Sequence, residues 1–293
     1  MIQIILGVLG VLTLWFSVVF IKDFLANKDN LENNSWAKVL GIGFITDFFD
    51  TLGIGSFAPT TALLKGLKQT KDRVIPGTLN VSHTIPVVLE AFIFITVINV
   101  EPVTLISMLL AATIGAWIGA GVVSKLPERT VQYVMGIALF VTAFLMFSSK
   151  MGWMPGGGEA IGLTGAKLAI AVVANFILGA LMTAGIGLYA PCMALVYFLG
   201  MSPRVAFPIM MGSCAFLMPV ASVKFVKEGA YDRKASMGIT IGGVIGVIIA
   251  AYIVKELPLE TLRWLVIGVI LYTSITMLRA ASKNKELPEK PAE

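Results

Sequence analysis

Charged side chains are what this sequence most lacks. Asp, Glu, Lys and Arg make up 13% of its 293 residues, about half the share usual in a soluble domain. Seventeen acidic residues cannot coat a soluble globule of this size. Histidine occurs once and cysteine twice, which excludes Cys₄ and Cys₂His₂ zinc sites and a multi-disulfide framework, so neither metal nor cofactor is expected. A Walker A pattern is also missing, which argues against intrinsic ATP drive. What the chain has instead is apolar surface: 57% of residues are hydrophobic and the mean hydropathy is +0.89. Its natural solvent is a lipid bilayer, and the composition reads as an all-α, multi-pass membrane protein of the cytoplasmic membrane.

The apolar stretch 2–21 is long enough to cross a bilayer, with no basic residue before it and no small-residue cleavage pattern after it. It reads as an anchor and not as a signal peptide. Further long apolar stretches cover 74–100, 103–123, 131–147, 205–225, 237–254 and 262–278, giving seven expected spanning helices. Two segments, 36–64 and 165–199, each carry a Gly-x-Gly followed by a proline in mid-stretch. Those residues interrupt a helix, so both segments are expected to be broken.

The two broken segments are copies of one another. GIGSFAPTTALL at 53–64 lies over GIGLYAPCMALV at 185–196 with an offset of 132, which also places Pro76 on Pro208. LPERTVQ at 126–132 meets LPLETLR at 257–263 with an offset of 131. The expected organisation is an N-terminal helix and cytoplasmic linker (1–35), a first repeat of hairpin plus three helices (36–149), a Gly-rich external linker containing PGGG (150–164), a second repeat (165–280) and a cytoplasmic tail (281–293).

Charge placement decides between broken segments that cross and broken segments that turn back. If both turn back, seventeen of the twenty-two Lys and Arg fall on one side, leaving Lys150, Lys167, Arg204, Lys255 and Arg263 on the other. If both cross, the division is nine against thirteen. Basic residues concentrate on the cytoplasmic side, so re-entrant hairpins are expected, with the N-terminus outside and the C-terminus cytoplasmic. Three spanning helices per unit then make the repeats inverted, an architecture used by secondary transporters. The formal charge of +5 is thereby mostly a topology signal, and nucleic acid is not an expected partner.

At each tip the glycines permit a positive-φ turn, and the proline fits the first turn of a helix that begins in mid-membrane. The free N–H groups and dipole of such a helix attract an anion without Lys or Arg. Two such ends facing one cavity suit a small, strongly hydrogen-bond-accepting anion, with hydroxyls at Thr51, Ser56, Thr60 and Thr183 as further donors.

The duplicated glycine-rich segment with its following proline, above all FDTLGIGSFAPTTAL, resembles the TauE/SafE sulfite-exporter family of permeases, also called the TSUP family. The resemblance runs from about Trp36 to Leu278. It implies transport of sulfite, sulfonates such as sulfoacetate, thiosulfate or related anions, with export the family-weighted direction. Carried over residue by residue, the family's tips fall on Gly53, Gly55 and Pro59 and on Gly185, Gly187 and Pro191.

Each remaining candidate has a plain alternative. Asp47 and Asp50 in the first hairpin are costly in lipid; they fit proton coupling or bracing of the tip. His83 suits a proton relay or a buried hydrogen bond to a backbone carbonyl. Asn80 can donate to an anion or hold helices together. Cys192, next to Pro191, could face the cavity or simply fill the core. Glu90 has no role assigned from sequence. Two other functions stay open: a passive anion channel, and an intramembrane hydrolase using Asp47 and Asp50, whose i, i+3 spacing on one arm fits catalysis poorly.

Overall fold

The computed structural model describes residues 2–94, 99–153, 158–252 and 259–283. Part of the PGGG run, most of the tail 281–293, and Lys255, Lys285 and Lys290 of the charge division lie outside the described residues. So do the ends of two apolar stretches (95–98 and 253–254) and the Leu-Pro of the second LPxET motif. Among the described residues the chain is built from α-helices with no β-strand: α1 (Ile2–Ala26), α2 (Trp36–Thr51), α3 (Phe57–Gly66), α4 (Ile75–Phe94), α5 (Pro102–Val123), α6 (Glu128–Lys150), α7 (Gly165–Met182), α8 (Tyr189–Phe198), α9 (Pro203–Lys227), α10 (Arg233–Tyr252) and α11 (Leu259–Lys283).

Six of these, α1, α5, α6, α7, α9 and α10, are long and apolar enough to cross a membrane. This set differs from the seven stretches expected. It leaves out α4, whose apolar run is diluted by Asn80, Ser82, His83, Thr84 and Glu90, and α11. It includes α7, a hairpin arm in the sequence reading, because its 18 residues rise roughly 27 Å at 1.5 Å each. The second arms are shorter: α3 and α8 have 10 residues each, about 15 Å, half of a hydrocarbon core.

The two ends of each broken segment are joined by hydrogen bonds. At the base of the first, Gln69 accepts from Asn34 Nδ2 through its carbonyl (3.0 Å) and from the Ser35 N–H through its side chain (3.0 Å). At the base of the second, Lys167 Nζ donates to the Leu199 carbonyl (3.1 Å). The two bases join different sets of loops. Asn34 also donates to Asp232 at the α9–α10 corner, and Arg233 there pairs with Asp23 at the end of α1. The second base is tied by the Ser202 N–H to the Ala160 carbonyl, and the neighbouring Ile161 accepts from Glu101, which caps α5.

The neighbours of the helices repeat the duplication. α2 lies along α10 and α5 along α7; α4 packs on α10 as α9 packs on α5; α3 meets α11 as α8 meets α6; α4 meets α9, and α6 meets α11. Exchanging α2–α6 for α7–α11 leaves this set unchanged. α1, resting on α9 and α4, has no counterpart.

Glycines set the two strongest pairings. A Cβ on Gly115 would stand 2.0 Å from the Phe176 carbonyl oxygen, and one on Gly179 2.1 Å from that of Ala112, so α5 and α7 touch backbone to backbone. Gly242 and Gly246 press in the same way on the carbonyls of Leu40 and Phe44 in α2. Small residues that allow close approach are the usual means of packing helices in lipid, where water does not drive association.

Candidate functional site between the two tips

α2 ends at Thr51 and α3 begins at Phe57; α7 ends at Met182 and α8 begins at Tyr189. The intervening turns need left-handed backbone at Gly53 (φ 86), Gly55 (φ 89) and Gly185 (φ 92), which glycine alone adopts without penalty. Gly187, the fourth glycine of the pair of motifs, is not among the positive-φ residues. It faces the opposite tip instead, where an added Cβ would meet the Phe57 Cβ at 3.8 Å. Pro59 and Pro191 each take the third position of their helix, where the missing N–H has no intrahelical acceptor to lose.

The two tips enclose one cavity of about 40 Å³. Gly55, Ser56, Phe57 and Ala58 line it from the first tip, and Gly187, Leu188, Tyr189 and Ala190 from the second. Asp50, Thr142, Met146, Met182 and Cys214 add the remaining polar and sulfur groups, and among the described residues no Lys or Arg belongs to the lining. The first-turn residues of α3 and α8, whose amides a helix cannot satisfy itself, thus line one small space. Beside it lies a larger cavity of about 230 Å³ reaching Ser149 and Lys150 at the end of α6. Ile54, Met146, Tyr189 and Ala190 line both cavities.

A buried polar cluster stands behind the first tip. Asp47 Oδ1 meets His83 Nδ1 at 2.7 Å, and His83 Nε2 meets the Thr60 hydroxyl at 3.0 Å. Asp50 Oδ2 accepts from the Ser56 hydroxyl at 2.8 Å. The carboxyl of Glu90 on α4 lies 2.7 Å from Thr51 Oγ1 through Oε1, and accepts from the Tyr189 hydroxyl at 3.2 Å through Oε2. Asp47, His83 and Glu90 are fully buried. Asp47 Oδ2 and Asp50 Oδ1 have no hydrogen-bond partner among the described residues, and Asp50 borders the cavity. Asp47 fits where it does because Gly243 of α10 leaves room: a Cβ there would stand 2.2 Å from Asp47 Oδ2. Among the described residues no group of three or more His, Cys, Asp or Glu is arranged to hold a metal ion.

Of the residues expected at the site, Asp50, Gly55, Ser56 and Gly187 line the inner cavity and Gly53 the outer one. Asp47, Thr51, Thr60 and His83 belong to the cluster behind it. Asn80 lies outside both linings; its Nδ2 donates to the Pro76 carbonyl (2.9 Å) and the Met182 carbonyl (3.5 Å). Thr183 donates to the Ala180 carbonyl, Gly185 backs onto Met135, Pro191 lines a separate apolar groove, and Cys192 is buried. Sequence reading missed Tyr189 and Thr142. Tyr189 matches Phe57 by the offset, so its hydroxyl is the one group that distinguishes the second tip at that position.

A family model described as the sulfite exporter TauE/SafE matches residues 1–146 and 167–293. Comparison with curated proteins and with solved structures returned no match.

Proposed function

The chain belongs to the TauE/SafE sulfite-exporter family, and we propose that it is a secondary carrier which exports a small organosulfur anion, such as sulfite or a sulfonate, held between the two tips. Its family and its apolar helices make it a multi-pass membrane transport protein. One observation carries the finer reading: the N-terminal turns of α3 and α8 border the same cavity, whose lining has no cationic side chain among the described residues. In that setting recognition falls to backbone N–H groups and helix dipoles, which favour negative charge. The sulfur oxyanion class follows from the family.

We read the fold as seven spanning helices and two re-entrant hairpins in inverted repeats, the first base and the C-terminus facing the cytoplasm. The joined ends of each broken segment and the separate loops gathered at each base support this. Asp47, Asp50 and His83 are the proton-coupling candidates: Asp50 borders the anion cavity, and the other two are bonded to each other and, through His83, to Thr60 of α3. The hydrolase alternative loses ground because the two carboxyls are engaged in different directions, one with His83 and one with Ser56.

The test is a binding panel of sulfite, thiosulfate, sulfoacetate, taurine, sulfate and acetate on purified protein, with Gly55→Val and Gly187→Val beside the wild type. A β-branched residue cannot hold φ 89 at position 55 without strain of about 1–3 kcal/mol, and at 187 it fills the gap to Phe57. Binding should be confined to the organosulfur anions and fall at least tenfold in both variants. Preference for cations or neutral solutes, or full affinity in both variants, overturns the tip site; saturable counterflow in proteoliposomes separates carrier from channel.

A further inference from the structure

Glu90 is bonded to both halves of the duplication at once. Thr51, which approaches its Oε1, is the last residue of the arm leading to the first tip, and Tyr189, which approaches its Oε2, is the first residue of the helix leaving the second. Tyr189 is also a wall shared by the inner cavity and the larger one that reaches Lys150. A carboxyl that holds this tyrosine therefore holds the partition between them.

The hydrogen count at Thr51 favours a proton on that carboxyl. Thr51 Oγ1 lies 2.9 Å from the Asp47 carbonyl oxygen and 2.7 Å from Glu90 Oε1. A hydroxyl has one hydrogen. The carbonyl can only accept, so with Glu90 ionised the single hydroxyl hydrogen is shared between two acceptors, whereas a proton on Oε1 donated to Thr51 makes each contact a full two-centre hydrogen bond. Charge points the same way. The titratable groups facing Glu90 are Asp50 and Asp47 from α2, Tyr189 from α8 and Cys214 from α9, with His83 on its own helix joined to Asp47. None of them is a cation available to Glu90, and a buried carboxylate without one is costly.

We propose that Glu90 is a proton-binding site of the transport cycle, occupied while the tips are closed and emptied as Tyr189 moves. On release the Oε1–H bond breaks, the proton passes to water in the larger cavity, and the Thr51 hydroxyl turns its own hydrogen from the Asp47 carbonyl to Oε1. This rests on the carrier reading above and adds to it a coupling group outside the Asp47, Asp50 and His83 set.

The experiment compares wild type with Glu90→Gln, which keeps the shape and a donor for Thr51 but cannot exchange a proton. In infrared spectra of the purified protein the variant should lose one protonated-carboxyl band. In proteoliposomes, radiolabelled sulfoacetate serves as probe because both its acidic groups stay ionised from about pH 6 to about pH 9. Counterflow should remain measurable in Glu90→Gln while the sulfoacetate-driven signal of an internal pH dye disappears. An unchanged infrared band, or a dye signal equal to wild type, overturns the proposal. Wild-type counterflow with no dye signal overturns it too and leaves the carrier reading standing, whereas absence of wild-type counterflow removes both. Should Glu90→Gln fail to fold, Tyr189→Phe decides. Losing a donor to the carboxylate should move the pH of half-maximal transport up by about one unit, and an unmoved profile is the overturning result.

Discussion

Gly115 of α5 lies against the carbonyl of Phe176 in α7, and its repeat-related partner Gly246 of α10 lies against the carbonyl of Phe44 in α2. The two glycines are 131 residues apart and the two phenylalanines 132, so one contact has been built twice. A methyl group would stand 2.0 Å from the oxygen in the first case and 2.4 Å in the second. Gly115→Ala and Gly246→Ala should each destabilise by about 1–3 kcal/mol, the usual cost of overpacking a close contact. Gly41→Ala, on α2 with nothing within 4 Å of the added atom, should be neutral to slightly stabilising through helix propensity. Thermal unfolding in detergent reads all three, and equal melting temperatures would refute the packing claim.

A second pair of matched positions has diverged. Where α7 meets α5, Gly179 sits on Ala112; where α2 meets α10, the equivalents are Asp47 and Gly243, with the glycine moved to the opposite helix to admit a carboxylate. Gly243→Ala should push Asp47 away from His83, cutting transport at least tenfold and lowering stability. Asp47→Gly in the same chain should recover much of the stability, though not transport. Recovery stays partial because Pro86 Cγ is also 2.8 Å from the added atom. A double-mutant cycle measures the coupling, and strict additivity of the two stability effects would contradict the shared site.

The duplication, the helix breaks and the low charge could all be read from the chain, because glycine, proline and apolar length act locally. The Asp47–Gly243 exchange could not: only the pairing of α2 with α10 reveals which glycine answers which carboxylate. Glu90 was visible as a carboxylate in an apolar helix, but its two partners lie 39 and 99 residues away. Asn80 was visible as a donor, yet whether its amide meets substrate or a backbone carbonyl depends on where α7 ends. α7 reads from sequence as a hairpin arm although its 18 residues are long and apolar enough to cross, and the meeting of its segment's two ends, seen in the Lys167 contact with Leu199, depends on residues 32 positions apart.

Lys150 lines the larger cavity and lies over the Trp264 ring. Lys150→Gln should weaken the apparent affinity for anions entering from that side several-fold at low salt. The difference should close as the Debye length shrinks from about 10 Å at 0.1 M to about 3 Å at 1 M. Uptake measured over a salt series checks it, and a salt-independent difference would count against an electrostatic role.

Asp232, between α9 and α10, caps α10 through the Ala235 N–H at 2.8 Å. Burial is the main cause that lifts its carboxyl from the usual 3.8 to about 6, with Glu32 adding to it and the Ala235 bond opposing it. The folded state therefore binds this proton more tightly than the unfolded chain. The associated stability is complete below about pH 4 and is lost as pH rises through about 6, an effect of roughly 1–3 kcal/mol. Asp232→Asn, which keeps a capping oxygen, should flatten that part of the melting-temperature profile and match or exceed wild type at pH 8. An unchanged slope between pH 4 and 6 would be the contrary result.

Among the described residues, every acidic or imidazole group around the tips, Asp47, Asp50, His83 and Glu90, comes from the first half of the chain, and the second contributes Tyr189. Two identical halves assembled as a symmetric pair would crowd six carboxyls around a space of about 40 Å³. Fusion into one polypeptide lifts that restriction: one copy can keep the ionisable equipment while its twin serves as a neutral frame.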